Sequence, residues 1–217
     1  MDFNLTEQEL MIQMRARDFA NKLVKPRAVE IDRSGEWPSD LIPEMAKSGF
    51  FGLQLPIEYE GVGAGYKCYA LAVEQISQAS MAVAAIIAIN ALSEEALYRY
   101  GSEEQKQKFL KPLAKGEYAA MFAFTEEATG VDPRAIAATA RPDGDYYILN
   151  GDKTFSSLAP GAGVAVIYAK DETEKVSAFI VAPSSQGFII SKPLETMGLR
   201  GSGTCQLSLN DVSVPKE

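Results

Sequence analysis

Helical periodicity fills the first half of the chain. Thr6-Glu7-Gln8-Glu9 has the Thr-x-x-Glu order of a capping box. Behind it, Ile12, Ala16, Phe19, Ala20 and Leu23 recur as one apolar stripe at helical spacing. Pro26 suits the first turn of a second, short helix. A third helix is expected over 38–47, stopping at Gly49. Residues 66–79 and 81–92 read as two more. The second of these is apolar nearly all round, the pattern of a helix inside a protein rather than on its surface. Ser102-Glu103-Glu104-Gln105 is another capping box and opens a helix to about residue 110.

The pattern changes near Gly116. Apolar runs become short and are punctuated by turn signals: Asp143-Gly144-Asp145, Asn150-Gly151, Asp171-Glu172, Ser184-Ser185-Gln186-Gly187 and the glycines from Gly198 to Gly203. The strands expected between them are 119–124, 138–141, 146–149, 164–169, 177–182, 187–191 and 205–209. Many short strands at such spacing predict an antiparallel sandwich or barrel. The fold class read from the pattern is therefore α+β. An all-helical domain over 1–116 precedes a β domain over 117–217, with a ligand cleft expected between two such domains. Gly61-Val62-Gly63-Ala64-Gly65 lacks the order of a phosphate-binding loop, and no Lys-Ser or Lys-Thr pair follows it. It reads as a flexible surface turn.

Composition narrows the chemistry. The 217 residues contain no histidine, which excludes a Ser-His-Asp triad, a Cys-His pair and any His-ligated metal site within them. No metal ligands are named. Lys and Arg number 21 against 29 for Asp and Glu, a net charge of −8. Such a chain is a poor candidate for nucleic acid or an anionic membrane. The apolar run 81–89 is too short to cross a bilayer. Met1-Asp2-Phe3-Asn4 has neither the basic nor the apolar region of a secretory leader. Cys68 and Cys205 have no CxxC spacing and read as free thiols in a reducing compartment, the cytoplasm, or the mitochondrial matrix in a eukaryote.

Several segments, taken in order, resemble one family, the acyl-CoA dehydrogenases. They are Leu5-Thr6-Glu7-Gln8, the stretch from Tyr100-Gly101-Ser102 to Lys115-Gly116-Glu117, Ala123-Phe124-Thr125-Glu126 through Gly130-Val131-Asp132, Leu149-Asn150-Gly151-Asp152-Lys153-Thr154-Phe155-Ser156-Ser157, Met197-Gly198-Leu199-Arg200-Gly201-Ser202 and Asp211-Val212-Ser213-Val214-Pro215. The resemblance implies a helical domain, a β domain and a C-terminal helical domain that these 217 residues do not contain. It implies oxidation of an acyl-CoA thioester to its trans-2-enoyl form, with FAD as cofactor. It also implies an electron-transfer flavoprotein as partner and a homo-oligomer, tetrameric at full length. The base would be a glutamate of the C-terminal domain, so no catalytic residue is named here and the isolated chain is expected to be inactive.

By the same resemblance, Phe122, Phe124 and Thr125 line the isoalloxazine ring. Gly130 lets the backbone approach the cofactor phosphate, Val131 takes a position that contacts cofactor or substrate, Phe155 stacks on the flavin and Ser157 bonds near N5. The sequence also departs from the family. Val131 stands where the family commonly has serine; a lost partner for a buried polar group costs ~1–3 kcal/mol. Glu127 adds a negative charge beside the expected cofactor. Phe155 replaces a tryptophan and loses its N–H donor. Leu158-Ala159-Pro160 replaces an Asn-Gly-Pro turn. These departures keep two alternatives open: a non-catalytic or flavin-poor subunit on the same fold, and a flavin-dependent oxidase or monooxygenase.

Overall fold

The computed structural model describes residues 4–216. Met1, Asp2 and Phe3, read above for a leader, and Glu217 lie outside the described residues. The chain divides into two compact units. One runs to Ala119 and takes in Thr196–Ser202; the other holds Ala120–Glu195 and the stretch from Gly203.

The first unit is helical: α1 (Glu7–Phe19), α2 (Ala28–Ser34), α3 (Leu41–Lys47), α4 (Gly65–Ser77), α5 (Met81–Tyr100), α6 (Glu103–Gln105) and α7 (Lys111–Lys115). Both capping boxes form. Thr6 accepts from the Glu9 amide and Glu9 reaches back to the Thr6 amide, and Ser102 and Gln105 do the same. The predicted stripe on α1 holds through Ala20 and then slips by one residue. A π-turn over Ala20–Val24 follows α1. The wider turn advances the buried face, so Val24 is buried while Leu23 points outward. A second π-turn, Lys106–Leu110, carries the last helix on into α7, beyond the expected end at 110. Pro26 and Pro38 stand in the turns before α2 and α3 rather than inside them.

The Gly-rich segment is a tightly held turn. The amides of Gly61, Val62, Gly63 and Ala64 donate to Pro56, Gly52, Leu55 and Leu53. Those donors are spent on the protein's own backbone, which also removes any phosphate-cradle role. A Cβ at Gly61 would sit 2.2 Å from the Leu55 carbonyl oxygen. Gly61→Ala should therefore cost about 1–3 kcal/mol of stability, read from the denaturant midpoint; an unchanged midpoint would show that the turn is loose.

Helix α5 is longer than expected. It continues through Ser93, Glu94 and Glu95 to Tyr100, giving 20 residues. By length and composition alone it could cross a membrane, which the run 81–89 could not. Half of its residues are buried, including Asn90, Ser93 and Glu94. Residues 196–202 are anchored on α2: the Arg200 guanidinium donates to the Asp32 carbonyl at 2.6 Å and to the Arg33 carbonyl at 3.4 Å. A cation there suits the negative end of a helix.

The second unit is one curled seven-stranded sheet: β1 (Ala119–Ala123), β2 (Thr139–Asp143), β3 (Tyr146–Ser156), β4 (Ala162–Lys170), β5 (Val176–Val181), β6 (Phe188–Ile190) and β7 (Cys205–Pro215). The order is β1-β4-β2-β3-β7-β6, with β5 on β4. The β2–β3, β3–β7, β4–β5 and β6–β7 ladders are antiparallel. The contact between β2 and β4 departs from the antiparallel expectation: it is parallel, at Thr139 and Lys170. The core gathers Met121, Leu149, Ile167, Val181, Leu207, Leu209 and Val212.

Asn150-Gly151 is not a turn. Strand β3 runs straight through it, with a register shift against β7 between Leu149 and Gly151. Gly151 has φ +138°, and a Cβ there would lie 2.8 Å from Ala138 Cα. The glycine serves a strand irregularity and close backbone approach, not chain reversal.

Candidate functional site

All seven residues assigned to the cofactor lie in the sheet unit, on two segments. The first begins on β1. Phe122 and Phe124 are two apart, so they share a face of the strand, while Met121 and Ala123 turn to the core. Their rings lie 6.3 Å apart and nearly parallel, and both pack on Tyr168 of β4, at 5.2 and 5.1 Å. After Thr125 the chain leaves the sheet. It makes an isolated bridge between Glu126 and Gly130, whose φ is +60°. A 3-10 turn over Pro133–Ala135 then leads back toward β2.

The second segment is the end of β3. Lys153 faces Leu207 on β7, and Ser156 faces Cys205: three steps on one strand against two on the other. This bulge breaks the alternation of inward and outward side chains. Thr154 is buried directly after Lys153, and Phe155 is turned out, 64% exposed at φ +54°. A bulky aromatic in the left-handed region is strained, and such strain collects at functional sites. Ser157 returns to the interior, its hydroxyl 2.7 Å from that of Thr204. When Thr204 donates in that pair, the Ser157 O–H is left to donate elsewhere. Leu158 is also left-handed, φ +72°, with a fully buried side chain. Leucine here trades backbone strain for apolar burial, where asparagine would fit the backbone.

The two segments are joined. The Thr154 amide donates to the Thr125 carbonyl at 2.8 Å. Beside that bond, Lys153 Nζ lies 2.7 Å from Glu126 Oε1 and 3.2 Å from the Phe124 carbonyl. Glu126 also accepts from the amides of Ala137 at 2.7 Å and Ala138 at 3.0 Å. Burial works against the Glu126 charge, but Lys153 and the two amides outweigh it and hold its pKa below the ordinary carboxylate value. Thr125 and Phe155 are thus brought onto neighbouring backbone, as are Phe122 and Phe124. Val131 is 72% exposed and offers an apolar side chain where a hydroxyl was wanted.

Sequence reasoning missed Glu126, Lys153, Tyr168 and Thr204. Glu126 and Lys153 both stand inside the motifs that carry the resemblance, but nothing in the sequence pairs residues 27 apart. Among the described residues no cluster of three or more Cys, Asp or Glu could hold a metal ion.

A helical unit followed by a curled mixed sheet, with an exposed aromatic on a strand bulge, is the class this fold defines. The profile described as acyl-CoA dehydrogenase, N-terminal domain, matches residues 6–117, and that of the middle domain matches residues 121–212. The chain belongs to the acyl-CoA dehydrogenase family of oxidoreductases. It is 40% identical over 216 residues to a 3-(aryl)acrylate reductase of Clostridium sporogenes, covering 97% of this chain and 57% of that protein. It is 40% identical over 218 residues to a subunit of the caffeyl-CoA reductase–Etf complex of Acetobacterium woodii, covering 98% of this chain and 58% of that protein. The butyryl-CoA dehydrogenase of Megasphaera elsdenii superposes with a TM-score of 0.93 at 32% identity, over 99% of this chain and 58% of that one. The chain thus spans under three fifths of the length of these relatives.

Proposed function

We propose that this chain forms the flavin-facing part of an FAD-dependent enzyme that oxidises an acyl-CoA thioester to its trans-2-enoyl form. The observation that carries the reading is Phe155, a strained aromatic held in solvent beside Thr125. An exposed, left-handed phenylalanine has no packing reason to exist, and a flat ring system stacked on it supplies one. FAD, when bound, supplies the hydride acceptor that no side chain offers. Around it, Phe155 would stack and exclude water. Phe122, Phe124 and Thr125 would line the ring, and the Ser157 hydroxyl would donate to its polar edge. Gly130 would give the phosphate close access, and Val131 would give it no hydrogen bond. Glu127 sets a like charge near the phosphate, and its effect is to weaken binding.

An electron-transfer flavoprotein partner is part of the proposal. Its support is the Acetobacterium relative, named as a subunit of an Etf complex. So are a homo-oligomer and a cytoplasmic (or mitochondrial-matrix) location; for the location the support is that Cys68 and Cys205 are both buried and unpaired. A second reading runs the same bond the other way, reducing an α,β-unsaturated acyl group. It is favoured by the two 40%-identical relatives, both named as reductases.

The test is an FAD titration followed by visible absorbance and circular dichroism. Saturable binding with induced flavin ellipticity is expected, weaker than stoichiometric. Phe155→Asn should relieve the backbone by about 1 kcal/mol and weaken FAD roughly tenfold through lost stacking. No saturable binding by the parent chain would sink the reading. Assays of the whole protein with acyl-CoA and a dye acceptor, and with enoyl-CoA and a reductant, separate the two directions.

A further inference from the structure

Lys153 and Glu126 form an ion pair with side-chain exposures of 0% and 7%; every other pair among the described residues keeps at least one partner well exposed. A buried pair of this kind adds little net stability, because both charges lose their water. Its placement is informative instead. The Glu126 carboxylate holds the two ends of one loop. The Glu126 backbone stands at the start, bridged to Gly130, and its side chain takes the amides of Ala137 and Ala138 at the end. The loop between carries Glu127, Gly130 and Val131. The carboxylate is also gripped by Lys153, two residues before Phe155, and Lys153 holds the Phe124 carbonyl as well. One pair of charges therefore fixes the loop, the end of β1 and the bulge of β3.

We propose that Glu126 and Lys153 are positioning residues for the flavin: they hold the 127–137 loop and the Phe155 bulge in register, so that cofactor affinity depends on a pair that never touches the cofactor. The proposal rests on the flavin reading above for its ligand, and on the loop geometry alone for its mechanics.

The test compares the parent chain with Glu126→Gln, Lys153→Met and the double variant. The double variant keeps side-chain size and leaves no lone buried charge, so it should fold even if a single variant does not. Two readouts are taken: FAD affinity with flavin circular dichroism, and hydrogen exchange at the amides of 127–138 and 154–156. The double variant should keep the parent's far-ultraviolet spectrum, exchange at least tenfold faster in both segments, bind FAD at least tenfold more weakly and lose the induced ellipticity. Unchanged exchange would overturn the proposal whether or not FAD binds. Faster exchange with parent-like FAD affinity would overturn the link to the cofactor. If the parent itself binds no FAD, the flavin reading falls, and the exchange result still decides whether the pair holds the loop.

Discussion

Lys153→Met alone lowers the unfolding free energy of the sheet unit by about 3–5 kcal/mol, the cost of leaving a buried charge without its partner. The Glu126 side chain left behind is 7% exposed and cannot regain water where it sits. Two backbone amides still reach it, from Ala137 and Ala138, but amides alone do not neutralise it. The residue must protonate or drag its loop open. Lys153→Met/Glu126→Gln removes both charges and should recover most of the loss, leaving a net cost of about 1 kcal/mol for weakened hydrogen bonds. Denaturant midpoints of parent, single and double variants measure this directly. A single variant within 1 kcal/mol of the parent would mean that the pair is solvated in solution.

The second large effect is a pH dependence in the helical unit. Glu94 is buried on α5, where it accepts from Gln54 Nε2 at 2.8 Å and Asn90 Nδ2 at 2.7 Å. Burial pushes its pKa from 4.5 up to about 7, and the side-chain amides and the Gly52 backbone offset only part of that. The folded protein then binds this proton more tightly than the unfolded chain does. Stability from Glu94 is fully present below about pH 4.5 and is lost as pH rises toward about 7. The total is on the order of 3 kcal/mol. Glu94→Gln has no proton to release, so its stability should not fall across that window. Unfolding free energies of both proteins from pH 4.5 to 7 give the difference; parallel curves would show that folding does not raise the Glu94 pKa.

The helical unit was legible where local rules govern. Thr6 and Ser102 cap their helices because side chains four positions or fewer away complete the bond. The stripe on α1 failed at Leu23 because a π-turn changes the period, and no residue type announces a π-turn. Helix α5 was read short because Ser93, Glu94 and Glu95 look like surface. Glu94 is buried where Gln54, forty residues earlier, and the Gly52 backbone join Asn90 in hydrogen-bonding it. Asn150-Gly151 read as a turn by composition, and β7 pairing across it made it strand.

The candidate site divides in the same way. The motifs placed Phe122, Phe124, Thr125, Gly130, Val131, Phe155 and Ser157 on two segments, and the family membership they implied holds. Nothing in them showed that Phe155 is turned outward. That follows from a bulge, which exists only when β3 is paired with β7 and one strand spends three residues where the other spends two.

By itself, then, the sequence determined a histidine-free, acidic, helix-then-sheet chain of the acyl-CoA dehydrogenase family, because capping, periodicity and ordered motifs are properties of neighbouring residues. Only the tertiary structure decided which way Phe155 points, that Glu126 and Lys153 are partners and that Glu94 is buried. Each of those depends on desolvation and hydrogen bonding between segments far apart in the chain, and such contacts leave no local pattern to read.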